Sequence, residues 1–184
     1  MKTFLAGLAI GLVILPLAFV FYLESGRIPV AASDPPMPFE AQLARGGLHA
    51  RIAREAPQRD ASTFTASDLM SGAEIYQKNC AFCHGLPQQA PSAAGRGMFP
   101  HAPQLFTAAE TVTDDPAGVT FWKVKNGIRL TGMPGFNGAL MDEQMWQVSA
   151  LLARADKLPP EALDALKPPS AAPAAEAQGR HPSN

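Results

Sequence analysis

Cys80-Ala81-Phe82-Cys83-His84 places two thiols one helical turn apart, with an imidazole directly after the second. These are the two cysteines of the whole chain, so a multi-disulfide framework is excluded and their closeness points to one local chemistry. Upstream, Leu69, Ala73, Tyr76 and Cys80 recur at helical spacing, and Ser71 with Glu74 predicts a capping box at the start of that helix. The helix thus runs straight into the thiols. Downstream, the Gly- and Pro-rich stretch from Gly85 to Pro103 reads as a long loop. A loop of that length in a small domain needs something to wrap around.

Two further helices follow. Asp115-Pro116 predicts an N-cap and first turn, with Val119 and Trp122 on one face and a stop at Asn126-Gly127. Met141, Met145, Val148 and Leu152 fall at i, i+4, i+7 and i+11, predicting a helix that begins near Asp142 and ends before Pro159-Pro160. Strand-like alternation is absent, so the fold class is all-α, with a compact domain over residues 67–157.

C-x-x-C-H is the attachment signature of c-type haem. Two thiols at this spacing can each add to a haem vinyl group, which holds the adjacent histidine where its ring nitrogen reaches the iron. Three other readings compete. A thioredoxin-like dithiol wants a βαβ pattern, which the chain lacks. Zinc wants a fourth ligand, for which His101 is the candidate within the domain. A plain disulfide leaves His84 without a role.

The sixth position of the iron decides the chemistry: Met/His ligation favours electron transfer at raised potential, and an open position favours ligand binding. Met133, in Thr131-Gly132-Met133-Pro134-Gly135, is the candidate, because Gly and Pro let an extended backbone approach closely. Met98 and His101 are the runners-up. Met141 and Met145 read as core residues of the last helix. A ligating histidine donates its other N–H to a carbonyl, carboxylate or water, and Pro103 is placed to offer its carbonyl to His84. Trp122 and Trp146 either donate indole N–H groups toward haem propionates or pack, with packing favoured for Trp146. Asn126 and Arg129 read equally as anchors of the methionine loop or a propionate and as a helix cap and a surface charge.

These residues resemble the class I c-type cytochromes. The resemblance runs from Gly72 to about Lys157 and rests on Gly72-Ala73-Glu74-Ile75-Tyr76, Cys80-Ala81-Phe82-Cys83-His84-Gly85, Pro103-Gln104-Leu105, Asn126-Gly127-Ile128, Thr131-Gly132-Met133-Pro134 and a closing helix bearing Trp146. It implies a small helical domain around one covalent haem c, thioethers at Cys80 and Cys83, iron ligation by His84 and Met133, and a Pro103 carbonyl that orients His84. It also implies that the first and last domain helices cross near Gly72 and Trp146, and that haem is attached on the outer side of a membrane. The two ends of the chain lie outside the resemblance.

Phe4 to Leu23 is an uncharged run of about the length that crosses a hydrocarbon core of roughly 30 Å as a helix. Residues 1–23 therefore read as a transmembrane anchor, with a cleaved signal peptide ending near Val30-Ala31-Ala32 as the competing reading. Residues 24–66 read as a proline-containing tether with room for a short helix, whose Arg45, Arg51 and Arg54 could face headgroups or a partner. Residues 158–184, rich in Pro and Ala, are expected to be disordered. A formal net charge of -1 and the lack of a basic stripe argue against nucleic-acid binding.

The expected role is an electron carrier in the bacterial cytoplasmic membrane, with its haem domain in the periplasm. Its expected partners are redox proteins of a respiratory or dehydrogenase chain: a dehydrogenase, an oxidase or another cytochrome. The rival readings are a gas-binding or catalytic haem protein in which Met133 is displaced, and a structural subunit whose haem is peripheral.

Overall fold

The computed structural model describes residues 1–107 and 113–168. Among them are eight α-helices and no strand: α1 (Lys2–Glu24), α2 (Glu40–Glu55), α3 (Ala66–Asn79), α4 (Ala81–His84), α5 (Ala93–Arg96), α6 (Ala117–Asn126), α7 (Asp142–Ala153) and α8 (Pro160–Ala165). The chain falls into two units, one from Met1 to Gly47 and the other from Leu48 onward.

In the first unit α1 buries none of its residues and carries Pro16 internally. Its 23 residues make it long and apolar enough to cross a bilayer, which fits an anchor and a signal sequence alike. Beyond it the Asp34 carboxylate accepts from the amides of Val30 and Ala31, and Glu40 accepts from Met37 at the start of α2.

In the second unit α3 crosses α7, α6 packs beside α7, and α8 lies on α3. The core between them includes Leu69, Ala73 and Tyr76 from α3, Phe121 and Val124 from α6, and Met145, Trp146, Val148 and Leu152 from α7. Gly72 makes the crossing close: a Cβ there would lie 2.8 Å from the Gln147 carbonyl carbon. Trp146, the neighbour of Gln147, stacks on Phe121 with ring centroids 4.3 Å apart, so packing is its role.

The structure departs from the sequence reading in several places. The capping box of α3 is Thr65 with Asp68, not Ser71 with Glu74, because Thr65 holds the extended backbone a cap requires and Ser71 lies inside the helix. The buried face of α6 is Ala117, Thr120, Phe121 and Val124, with Val119 and Trp122 at its border. Met141 is 69% exposed and caps α7 rather than entering the core. Ser92 caps the one-turn α5 inside what read as a continuous loop.

The domain also reaches past both expected limits. Ile52 and Phe64 are buried, and the Arg59 guanidinium lies 4.2 Å above the Phe64 ring while both of its terminal nitrogens bond Glu143, at 2.8 and 3.1 Å. Residues 48–66 therefore pack as part of the domain rather than as free tether. At the other end, α8 buries Ala162, and Leu166 just beyond it is buried too, so the stretch from 158 to 168 is folded where disorder was expected. The rest of that expected tail lies outside the described residues.

Candidate functional site

Cys80 ends α3, with its amide bonded to the Tyr76 carbonyl at 2.8 Å, and also begins α4. Both thiols are unbridged and partly buried. Burial, with a smaller contribution from Cys83, pushes the Cys80 thiol up to about 12, so it is protonated at neutral pH. At the other end of α4, Gly85 takes φ +77°, and a Cβ there would lie 3.0 Å from the Ala90 carbonyl carbon. Only glycine makes that turn without strain.

Two side chains hold the turn. The buried Tyr76 hydroxyl donates to the Gly85 carbonyl at 2.8 Å, and its ring meets Phe106 edge-on at 5.1 Å. Burial raises the Tyr76 pKa, which keeps that hydroxyl a donor. The Gln104 amide nitrogen donates to the carbonyls of Leu86 at 2.5 Å and Gln89 at 2.8 Å.

Between these anchors His84 Nδ1 lies 2.8 Å from the Pro103 carbonyl oxygen. A carbonyl only accepts, so Nδ1 carries the proton and the Nε2 lone pair is left for a metal. Burial lowers the His84 pKa below 6.5 against the opposing pull of the Pro103 bond, which keeps the ring neutral and able to ligate. Beside it, Gly95 of α5 sits on Cys83, where a Cβ would lie 3.1 Å from the carbonyl carbon.

Met133 is carried by a loop tied back to α6. Gly127, at φ +69°, ends the helix, and a Cβ there would lie 2.7 Å from the Pro134 carbonyl carbon. Ile128 donates its amide to the Met133 carbonyl at 3.1 Å. The Thr131 hydroxyl donates to the Ile128 carbonyl at 2.7 Å and accepts from the Met133 amide at 3.1 Å. Met133 itself is half-buried against the edge of the core. The Met98 side chain lies on Gly132, so both candidate thioethers belong to one neighbourhood, whereas His101 is exposed.

The remaining candidates have other partners. The Trp122 indole donates to Glu55 at 3.1 Å and lowers that carboxyl's pKa, and the Asn126 amide bonds the Trp122 carbonyl. Arg129 is exposed. Tyr76, which the sequence offered only as part of the helical repeat into the thiols, and Gln104 and Thr131 prove to shape the site. Their partners are backbone carbonyls and amides, which leave no pairing signal in a single sequence.

Among the described residues no group of three or more His, Cys, Asp or Glu forms a metal-binding cluster, which leaves the zinc reading without support. The donor set fits a haem: two unbridged thiols, a neutral imidazole oriented by a carbonyl, and a half-buried thioether. Leu105, Phe106, Phe136 and Leu140, partly buried against the core, supply apolar side chains of the kind a porphyrin plate packs on.

Residues 67–152 match the family described as cytochrome c oxidase, cbb3-type, subunit III. The chain is also 32% identical over 100 residues to 1-butanol dehydrogenase (cytochrome c) of Thauera butanivorans, covering 53% of this chain and 13% of that protein. The chain thus spans only a small part of the curated relative it matches. No solved structure matches. The helix α3 that ends in C-x-x-C-H and crosses α7 at a glycine, together with that family match, supports a c-type cytochrome over residues 67–152.

Proposed function

We propose that this domain carries a single haem, joined covalently through Cys80 and Cys83 and ligated by His84 and Met133, and that it passes single electrons between redox proteins. Cys80 and Cys83 would hold the group as thioethers, each thiol adding across one vinyl group with its hydrogen going to the other vinyl carbon. The bound group supplies the one-electron chemistry, and the chain's own residues bind, orient and tune it. His84 presents Nε2 because Nδ1 is engaged by Pro103, and Met133 presents its sulfur from a loop fixed by Thr131 and Gly127. The observation that carries the reading is the 2.8 Å bond from His84 to Pro103, since it orients the imidazole as a ligand.

The segments that bear these groups, residues 79–107 and 126–141, contain Arg96, Arg129 and His101 and no carboxylate. Such a surface favours an acidic redox partner, and the small interfaces of electron transfer depend on such charge matching. The named dehydrogenase relative supports a dehydrogenase as one partner, and the matched oxidase-subunit family supports an oxidase. α1 is the anchor in the bacterial cytoplasmic membrane, with the domain in the periplasm.

The test is the pyridine haemochrome spectrum of the purified chain, with haem staining after denaturing electrophoresis. A thioether-type spectrum with one haem per chain is expected. Met133→Ala retains that haem, has a lower potential and binds carbon monoxide when reduced, while His84→Ala largely loses stable holoprotein. A chain without thioether-bound porphyrin overturns the attachment, and an unchanged potential in Met133→Ala overturns the sixth ligand.

A further inference from the structure

We infer that Gln104 is the positioning residue for the axial histidine: its side-chain amide locks together the two backbone segments that hold the His84 to Pro103 bond. This rests on the haem reading above. The bond joins the end of α4 to the segment at residue 103, and neither segment belongs to a long helix at that point. Gln104, next to Pro103, spans the gap with both ends of its amide. Its nitrogen donates to Leu86 at 2.5 Å and Gln89 at 2.8 Å, on the turn that follows His84. Its oxygen accepts from the Phe106 amide at 2.6 Å, on its own segment.

The clamp is nearly sealed from water, for Gln104 is 8% exposed. Buried amide bonds of this kind are strong and costly to leave unmade. The turn it holds is under constraint, with φ of +77° at Gly85 and +62° at Gln88. On the far side the Tyr76 hydroxyl holds Gly85, and its ring rests on Phe106, so the clamp closes a loop of contacts around His84.

Without the amide the turn is released on the Gln104 side, and the carbonyl of Pro103 is no longer held at a fixed distance from Nδ1. A bond from Nδ1–H to a carbonyl raises the basicity of the ligating imidazole, which favours ferric iron. Loosening it raises the midpoint potential.

The experiment uses the full-length holoprotein and compares Gln104→Leu and Gln104→Met, which fill similar space without hydrogen bonds. The control is Gln147→Leu, which removes an amide bond to Asp68 in the α3 to α7 contact. In the reduced protein the exchange of the His84 Nδ1–H with deuterium is followed by proton NMR, and the midpoint potential by redox titration. Both Gln104 variants are expected to exchange that proton about tenfold faster or more and to have a higher potential, with Gln147→Leu like the parent. Two variants guard against one that does not fold. Haem-loaded Gln104 variants with parental exchange and potential overturn the inference and reduce Gln104 to a filler. A parent chain lacking thioether-bound haem is a different failure, read from its haemochrome spectrum before any variant is made.

Discussion

Gly127 holds φ +69° with the backbone of Pro134 directly against it. At ψ -176° this backbone conformation is essentially reserved for glycine, so an alanine there meets strain of about 1–3 kcal/mol and a Cβ only 2.7 Å from the Pro134 carbonyl carbon. Gly127→Ala is therefore expected to lower the denaturation midpoint and to loosen Met133, so that the reduced protein binds carbon monoxide faster than the parent. Stopped-flow mixing with carbon monoxide measures this, and a parental rate would mean that the glycine shapes the helix end alone. Thr131→Val, which removes the hydroxyl bridge between Ile128 and Met133, is expected to act in the same direction with little loss of fold. At this scale the pairing of His84 with the Pro103 carbonyl was legible because both residues lie in short motifs whose spacing has a chemical reason. Gln104 and Tyr76 were not, because a glutamine beside a loop proline and a tyrosine on a helix face look the same whether or not carbonyls surround them.

The elements were legible where apolar periodicity was strong. α7 begins at Asp142 as the pattern predicted, and α3 runs into the thiols. α8 was missed because it buries only Ala162 and the adjacent Leu166, too little apolar repeat to distinguish a six-residue helix from a Pro- and Ala-rich tail. Its contribution to stability is nonetheless direct. Leu166 is 1% exposed, and Leu166→Ala is expected to destabilise the domain by about 2–5 kcal/mol, read from denaturant titration of the holoprotein. A change below about 0.5 kcal/mol, the range of exposed substitutions, would mean that α8 adds nothing to the core. The N-terminal overrun was missed for a related reason. The buried residues there, Ile52 and Phe64, are twelve positions apart, and the ion pair that joins this stretch to α7, Arg59 with Glu143, is distant in sequence.

For the molecule as a whole, charge sets both acid tolerance and association. The Thr65 hydroxyl and amide hold the Asp68 carboxyl below its ordinary 3.8, and the Ser62 amide does the same for Asp60. A carboxyl lowered on folding stabilises the fold above its unfolded pKa. That stability is lost as pH falls from about 3.8 through the lower folded values. The thermal midpoint should accordingly fall over this acidic range, and Asp68→Asn should flatten the fall; identical profiles would remove the capping carboxylate from the account. Electron exchange with an acidic redox protein should slow as ionic strength rises, given Arg96 and Arg129 on carboxylate-free segments, and salt-independent rates would argue for an uncharged contact.

Gly118 on α6 has the Pro57 carbonyl pressed where any larger residue would need room, so this stretch of chain is seated on the helix well before the matched family begins at residue 67. The smallest portable form of the domain is therefore longer than its sequence signature suggests. A graft onto another carrier that starts at Leu48 keeps this lining in place, whereas one that starts at Ser67 strips a side of α6 bare and invites aggregation.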